Sequence, residues 1–347
     1  MRHLMTLCRP LALAALLLTT SERADAGDLV RLAATKNSGD IGLYIAFDLG
    51  FLKQEGIDAE LTEFDTGAKM VAPLATGELD VGTLPGSAAL YNAAARQIDT
   101  RVVADRSRSA PGHFYQTLMV RKDLMDSGRF KNYPDLKGLR MAVPAPGLNV
   151  LSIVNDAAIK GGVHYDDIEK VYVTLPQQVA AFRNKSIDVS IMIEPFATIL
   201  DQGGDAVRFA STEDFNPGGE FTYMVFSEKF SQQRPDVARR FMRAYVQALR
   251  IFNDSIDKGR WGSSPHANEV IGLLAKRLDI KPEQIRNSFP HAVDPDGRVN
   301  LDAMRKELKF FQDQGLVADK NFRAETLVDL RFVEMAVKEL GPYKRQP

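Results

Sequence analysis

The sequence predicts an α/β protein built from two similar lobes with a cleft between them. Two stretches 108 positions apart resemble each other, VAPLATGELDV at 71–81 and VAAFRNKSIDV at 179–189. Each predicts a short apolar helix, a turn and a strand containing Asp-Val, followed by a Pro-containing loop and another helix. Strand ends and helix N-termini that line a cleft are where such sheets bind ligands. The repeat therefore predicts a cleft that closes on a small molecule.

The N-terminus predicts export. Basic residues precede the apolar run LALAALLL at 11–18, and the sequence Ala-Asp-Ala follows at 24–26. This order is typical of a secretory signal peptide, and the run is too short to span a bilayer, which needs about 20 apolar residues. We expect cleavage before Gly27 and a mature protein in the periplasm. The alternative is a disordered or docked N-terminal helix.

Composition excludes several classes of function. The single cysteine, Cys8, leaves with residues 1–26, so the mature chain has no disulfide, thiolate metal site or cysteine nucleophile. That cleavage removes three basic and two acidic side chains, which takes the formal net charge from −1 to −2. No basic patch favours nucleic acid. The histidines lack the spacing of metal ligands, and no H-E-x-x-H, G-x-S-x-G or Walker sequence occurs. We expect no catalytic residue, metal or cofactor.

Periodicity and turn residues give the elements of the first lobe in order. A strand is predicted where LVRLAA alternates at 29–34, and the polar turn 37–40 can cap a helix at 41–49. The next predicted elements are strands at 59–64, 79–83 and 101–104, helices at 70–75 and 88–96, and a charged loop at 105–112.

The pattern restarts in the second lobe, with strands at 140–143, 169–174 and 187–191 and a helix at 149–160. FYQTLMV at 114–120 and FTYMVF at 221–226 match in composition. We interpret them as crossing strands, with hinges at 116–118 and 223–225. From Arg234 the chain is mostly helical and is expected to return to the first lobe. The predicted domains are a signal peptide at 1–26, lobe 1 at 27–116 and 225–347, and lobe 2 at 117–224.

Several ordered motifs resemble one family. They are DLGFLKQEGID (48–58), LATGELDVGTLPGSAAL (74–90), VRKD (120–123), DLKGLRMAVPAPG (135–147) and IEPF (193–196). The chain from Leu29 to Ala248 resembles the periplasmic binding proteins of the nitrate/sulfonate/taurine and thiamine-pyrimidine-precursor class. The resemblance implies a type II periplasmic binding protein, a two-lobe α/β fold with two crossing strands. It also implies a small-molecule ligand and partnership with the permease and ATPase of an ABC importer in the inner membrane. We expect a monomer.

The candidate ligand-binding residues lie where predicted strands end or cross. They are Asn37, Ser38, Asp40, Pro85, Gly86, Ser87, Arg106, His113, Gly147, Leu148, Asn149, Glu194 and Tyr223. Arg106, or the nearby Arg108, could clamp a carboxylate or sulfonate. Helix N-termini at Ser87 and Asn149 favour an anion, with Asn149 as a cap. Glu194 could bond amides across the cleft or meet an amine. Structural roles as caps, surface charges or core aromatics stay open for each of these residues.

The expected ligand is a small organic anion or zwitterion, such as a sulfonate, a taurine-like compound or an aromatic carboxylate. Three alternatives stay open. The protein could bind a pyrimidine-type thiamine precursor, or it could present its ligand to a sensor instead of a permease. An enzyme related to the pyrimidine synthase of the same superfamily is less favoured, because that enzyme carries a cysteine-rich run that the mature chain lacks.

Overall fold

The computed structural model describes residues 27–98 and 100–345, and within them the chain forms two five-stranded sheets flanked by helices. The predicted signal peptide lies outside the described residues. None of the helices in the two described ranges has the length and apolar content needed to cross a bilayer. The strands are β1 Asp28–Ala34, β2 Ile57–Glu63, β3 Val81–Pro85, β4 Thr100–Arg108, β5 Gln116–Arg121, β6 Arg140–Val143, β7 Glu169–Tyr172, β8 Val189–Ile193, β9 Ala206–Ser211, β10 Glu220–Ser227, β11 Ile256–Asp257 and β12 Arg260–Trp261.

The helices connect these strands and then form most of the C-terminal third of the chain. They are α1 Ile41–Asp48, α2 Phe51–Gln54, α3 Ala68–Thr76, α4 Ala88–Ala95, α5 Lys122–Asp126, α6 Val150–Lys160, α7 Leu175–Arg183, α8 Phe196–Gln202, α9 Glu228–Gln233, α10 Pro235–Asp254, α11 Pro265–Leu278, α12 Pro282–Asn287, α13 Leu301–Asp313 and α14 Arg331–Leu340.

The two sheets share one arrangement of strands. The first has the order β2-β1-β3-β10-β4 and the second the order β7-β6-β8-β5-β9. In each, three parallel strands are followed by one antiparallel strand that begins where the chain has just passed from the other sheet, β10 in the first sheet and β5 in the second. The sequence repeat is therefore a structural repeat.

The chain passes between the sheets twice. Each of β5 and β10 is paired within one sheet along its length, so the passages are the segments 109–115 and 212–219. The hinge positions predicted at 116–118 and 223–225 lie inside paired strands. We therefore expect bending in the two connecting segments. The lobe limits at 117 and 224 stay a prediction, although residues 220–224 belong to a strand of the first sheet.

One apolar cluster runs from the first sheet into the second. It includes Leu84 and Tyr91 beside the first sheet, Phe311 on α13, and Leu118 and Ile153 in the second half. Helix α13 contacts both α4 and α6. A second cluster packs α1 and α10 against the opposite face of the first sheet. Helices α10 and α14 thus pack on the first sheet, and α13 reaches both halves.

The same arginine–aspartate contact recurs in both halves, and we call it the strand clamp. Asp80, just before β3, accepts hydrogen bonds from the backbone N of Arg31 (2.8 Å) and its Nε (3.2 Å). Asp188, just before β8, accepts them from the backbone N of Arg140 (3.0 Å) and its Nε (2.9 Å). Each guanidinium also reaches a carbonyl in the turn before the strand, that of Gly77 or Lys185. The clamps fix the register of the central parallel strands, and they explain the aspartate in both Asp-Val sequences.

Asp188→Ala is expected to destabilise the protein by about 3 kcal/mol, because Arg121 and Arg140 would lose the carboxylate that compensates them. Burial raises the pKa of Asp188, but hydrogen bonds from Arg140 outweigh it and the net shift is downward. The contribution of the clamp is therefore present above the unfolded pKa of about 3.9 and is lost as pH falls through the folded value. Urea unfolding at pH 7 measures the effect.

The matched control is Asp126→Ala, whose carboxylate is 59% exposed and pairs with Lys122. It should change stability by no more than about 0.5 kcal/mol. An equal loss in the two variants would contradict the structural role of the clamp.

Candidate functional site

The candidate residues gather where the strands of the two sheets end. The turn 37–40 follows β1, residues 85–87 end β3, residues 144–149 follow β6, and Glu194 follows β8. In the first turn the Asn37 side chain accepts a hydrogen bond from the backbone N of Gly39 at 2.9 Å, as expected of a cap. The carboxyl ends of parallel strands share one edge of a sheet, so these turns come together.

Arg106 lies in a strand and is almost fully buried, so the prediction of a charged loop at 105–112 is wrong over its first four residues. Its Nη2 contacts Asp40 Oδ1 at 2.7 Å and Asn37 Oδ1 at 2.9 Å. The other oxygen of Asp40 accepts from the backbone N of Thr35 at 3.0 Å. The strand can continue through these charges because each is paired. Arg106 Nε is buried without a hydrogen-bond partner among the described residues.

Ser38 connects this ion pair to the second half of the molecule. Its Oγ donates to the backbone O of Glu194 at 3.0 Å and lies 3.5 Å from the hydroxyl of Tyr115. The Tyr115 ring packs on His291, with centroids 5.2 Å apart. Burial is the main cause that holds the pKa of His291 well below its usual range, and the positive charge of Arg106 is the second cause. This imidazole is therefore neutral. We call Asn37, Ser38, Asp40, Arg106, Tyr115 and His291 the arginine site.

The two halves meet directly beside the N-termini of α4 and α6. The backbone N of Ala88 donates to the Gly147 O at 2.9 Å, and that of Asn149 donates to the Gly86 O at 3.0 Å. Ser87 and Leu148 form an antiparallel bridge, and Gly147 has a φ of 72°, which favours glycine. Ser87 caps α4 by accepting from the Leu90 N at 3.2 Å. The backbone amides of Ala88 and Asn149, which lie at the helix N-termini predicted to bind an anion, thus donate to the facing half in this closed conformation. We call this contact the seam.

Asn149 does not cap α6, and the prediction that it does is wrong. Its own backbone is helical, with φ −56° and ψ −26°, whereas a capping residue needs an extended conformation. Its Nδ2 instead donates to the Phe221 O in β10 at 2.6 Å. Asn149 is therefore a third tie across the seam.

Glu194 is fully occupied within the second half, so its predicted bonds to amides across the cleft or to an amine are not seen. Its carboxylate accepts from the Thr198 N at 3.1 Å and from Arg208 Nη2 at 2.6 Å. Burial raises the pKa of the Glu194 carboxyl group, although the positive charge of Arg208 acts in the other direction. Only the backbone oxygen of Glu194 faces the first half, through Ser38.

The remaining predicted residues have structural contacts. His113, in the first connecting segment, bonds the Pro290 O at 3.1 Å, and burial lowers its pKa. Arg108 pairs with Asp294 at 2.7 Å and with Asp105 at 3.3 Å. Tyr223 is buried in the core that the two halves share. Pro85 ends β3 beside Gly86.

Sequence reasoning missed His291 and Glu307, which both approach the site from the C-terminal third. Glu307 lies on α13 and accepts a hydrogen bond from the Tyr91 hydroxyl at 2.9 Å. No short motif marks either residue. Within the described residues, no three His, Cys, Asp or Glu side chains cluster as a metal site would require.

Two interlocked α/β halves whose facing strand ends carry the polar residues define a two-lobe binding-protein fold, which is the fold class predicted from the sequence. The chain belongs to the NMT1/THI5-like family, whose model matches residues 37–254. The fold and the family resemblance predicted from the sequence are thereby confirmed.

Named relatives agree with this assignment. The taurine-binding periplasmic protein of Escherichia coli (strain K12) is 25% identical over 300 residues, covering 83% of this chain and 87% of that protein. The aliphatic sulphonate binding protein SsuA from Escherichia coli has a TM-score of 0.70 at 18% identity, covering 87% of this chain and 92% of that chain. The nitrate-binding protein NrtA from Synechocystis PCC 6803 has a TM-score of 0.72 at 13% identity, covering 91% and 89%.

Asn149→Asp is expected to weaken the closed conformation. A carboxylate cannot donate to the Phe221 O and would repel it, which costs about 1–3 kcal/mol. We expect a larger radius of gyration of the ligand-free protein in solution scattering, and a lower melting temperature. Asn184→Asp, in the turn after α7, is the matched control and should leave the scattering curve unchanged. Identical curves for Asn149→Asp and the parent protein would show that this tie does not hold the halves together.

Proposed function

We propose that the protein is the solute-binding component of an ABC importer and captures a small organic anion or zwitterion between its lobes. The observation that carries the proposal is Arg106, a buried guanidinium that lies where the two halves meet and whose Nε finds no hydrogen-bond partner in the described part of the chain. The names of the relatives, taurine- and sulfonate-binding proteins, favour a sulfonate. In this role the protein is a monomer that meets a permease and an ATPase, and it is not an enzyme.

The seam suggests how a ligand would replace contacts between the two halves of the protein. A few polar bonds tie the halves, among them Ser38 to the Glu194 O and the backbone pairs at Gly86 and Gly147. Each such bond contributes about 1 kcal/mol net, so a ligand that makes comparable hydrogen bonds can replace them. Opening frees amides at the start of α4 and α6, where the helix dipole favours an anion. A ligand anion then takes the place of the carbonyl acceptors, and binding shifts the population towards closure.

Substitution of Arg106 tests the anion site. Arg106→Gln should weaken binding of taurine or ethanesulfonate at least tenfold, about 1.4 kcal/mol, measured by calorimetry. The single variant also leaves Asp40 buried without its counter-charge, which lowers stability by itself.

The double variant Arg106→Gln, Asp40→Asn removes both charges and separates the two effects. It should recover stability without recovering affinity. Arg183→Gln, which disrupts an exposed pair with Asp205, is the control for charge alone. A double variant that binds sulfonates as tightly as the parent protein would remove Arg106 from the proposed site.

Export is tested by processing. The full chain, expressed in a Gram-negative host, should appear in the periplasmic fraction beginning at Gly27. Mass spectrometry of the released protein measures its N-terminus. Retention of residues 1–26 on the exported chain would contradict the signal peptide.

A further inference from the structure

A buried carboxyl group on α13 lies directly against the seam. Glu307 is 5% exposed, and the described residues give it one hydrogen bond, from Tyr91, and no ion pair. A Cβ added to Gly86 would lie 2.1 Å from its Oε1 and 2.6 Å from its Oε2. The carboxyl group therefore packs on the backbone of Gly86, in the space that the sequence analysis gave to a ligand.

Two fully buried tyrosines, Tyr91 and Tyr223, lie beside this carboxyl group. The Tyr223 hydroxyl is within hydrogen-bond reach of the Tyr91 hydroxyl. Burial is the largest cause that raises the pKa of the Tyr223 hydroxyl. The nearby Tyr91 and Glu307 raise it further. The ring of Phe311 lies 6.0 Å from that of Tyr91. A buried carboxyl group with two tyrosine hydroxyls beside it and no cation among the described residues suits a protonated amine, which can donate to the carboxylate oxygens.

Opening of the lobes would expose this position. Lys306, next to Glu307 on α13, contacts Asp156 of α6 at 2.8 Å, so α13 is tied to the second half beside the seam. Separation of the halves breaks this ion pair together with the bonds at Gly86 and Gly147. Arg106 contacts the turn after β1, whereas Glu307 contacts the turn after β3, and these strands are neighbours in the sheet. Neighbouring strands are about 4.8 Å apart, so one small ligand can reach both of these turns.

We propose that Glu307, Tyr91 and Tyr223 form a subsite for a protonated amine of the ligand, so that the solute is a zwitterion whose anionic end lies at Arg106. This inference rests on the proposed function and narrows its ligand class. Glu307 lies outside residues 37–254, the part matched by the family model, whereas Tyr91 and Tyr223 lie within it.

Amine binding should be linked to proton release. Burial raises the pKa of Glu307 to about 8, although the hydrogen bond from Tyr91 acts to lower it. The negative charge of Asp156 adds to the rise. The titratable groups that act on it are Tyr91 of α4, Tyr223 of β10 and Asp156 of α6. Further out, Glu220 of β10 acts on the two tyrosines, and Lys306 of α13 pairs with Asp156. Glu307 is therefore mostly protonated at pH 7, and an ammonium group must displace its proton. Affinity for amines should rise with pH below about 8, by up to tenfold per unit, while affinity for amine-free anions should not.

Calorimetry with matched probes tests the subsite. Taurine is compared with ethanesulfonate, and β-alanine with propionate, at pH 6, 7 and 8 and in two buffers of different ionisation enthalpy. We expect the amine of at least one pair to bind at least tenfold more tightly and to release close to one proton at pH 7. Glu307→Gln should abolish the preference and the proton release while leaving the amine-free partner unchanged. Tyr223→Phe should weaken the preference, and Asp313→Asn, on the exposed side of α13, should behave like the parent protein.

The outcomes separate the inference from the proposed function. Equal affinity within both pairs, or an amine preference that survives Glu307→Gln, overturns the subsite and leaves an anion-binding protein. Failure of the parent protein to bind any of the four probes overturns the proposed ligand class and the subsite with it. If Glu307→Gln does not fold cooperatively, the pH dependence and proton count of the parent protein decide: a flat profile without proton release overturns the subsite.

Discussion

The strand clamps hold the framework on which the candidate site depends. Asp80 and Asp188 each fix one central strand at the edge opposite the site, through both the backbone and the side chain of an arginine. A shift of one residue in a strand reverses the face on which every side chain lies. The clamps thus determine where β3 and β8 end, and so where Gly86 and Glu194 meet the other half.

Buried charge is tolerated here because each charge has a partner of opposite sign beside the same sheet. Asp40 and Arg106 compensate each other beside β1 and β4, and Glu194 and Arg208 do so beside β8 and β9. Isolated charges at such depth would be too costly to keep. Glu307 differs because no cation compensates it among the described residues, which is why burial keeps its proton in place. The two ion pairs organise the site, whereas the carboxyl group of Glu307 remains free to bind a cationic group of a ligand.

The sequence predicted the features that depend on local pattern. The repeat identified both halves, and the periodicity placed most strands within a few residues, because one buried face leaves a clear period in the chain. Ser87 takes the capping role that the pattern had left open. The pattern missed the length of β4, because the partners of Arg106 and Arg108 lie far away at Asp40 and Asp294.

Long-range packing also explains the failures at the site. The side chain of Asn149 has a partner 72 positions away, and nothing local distinguishes that bond from a cap. Glu307 reaches Gly86 from more than two hundred residues along the chain, within a helix whose pattern is that of any amphipathic helix. Contacts of this kind are set by how the two halves dock, which a single sequence does not encode in any short window.

The return of β10 to the first sheet sets an order for assembly. The second sheet uses only strands between residues 116 and 211, so it can be completed from one continuous stretch of chain. The first sheet cannot, since β10 must enter between β3 and β4, which do not pair with each other. During synthesis the N-terminal strands therefore wait with unpaired edges while a complete later unit forms. The first lobe stays in this unfinished form until β10 arrives, so the floor of the binding cleft is its last part to be built.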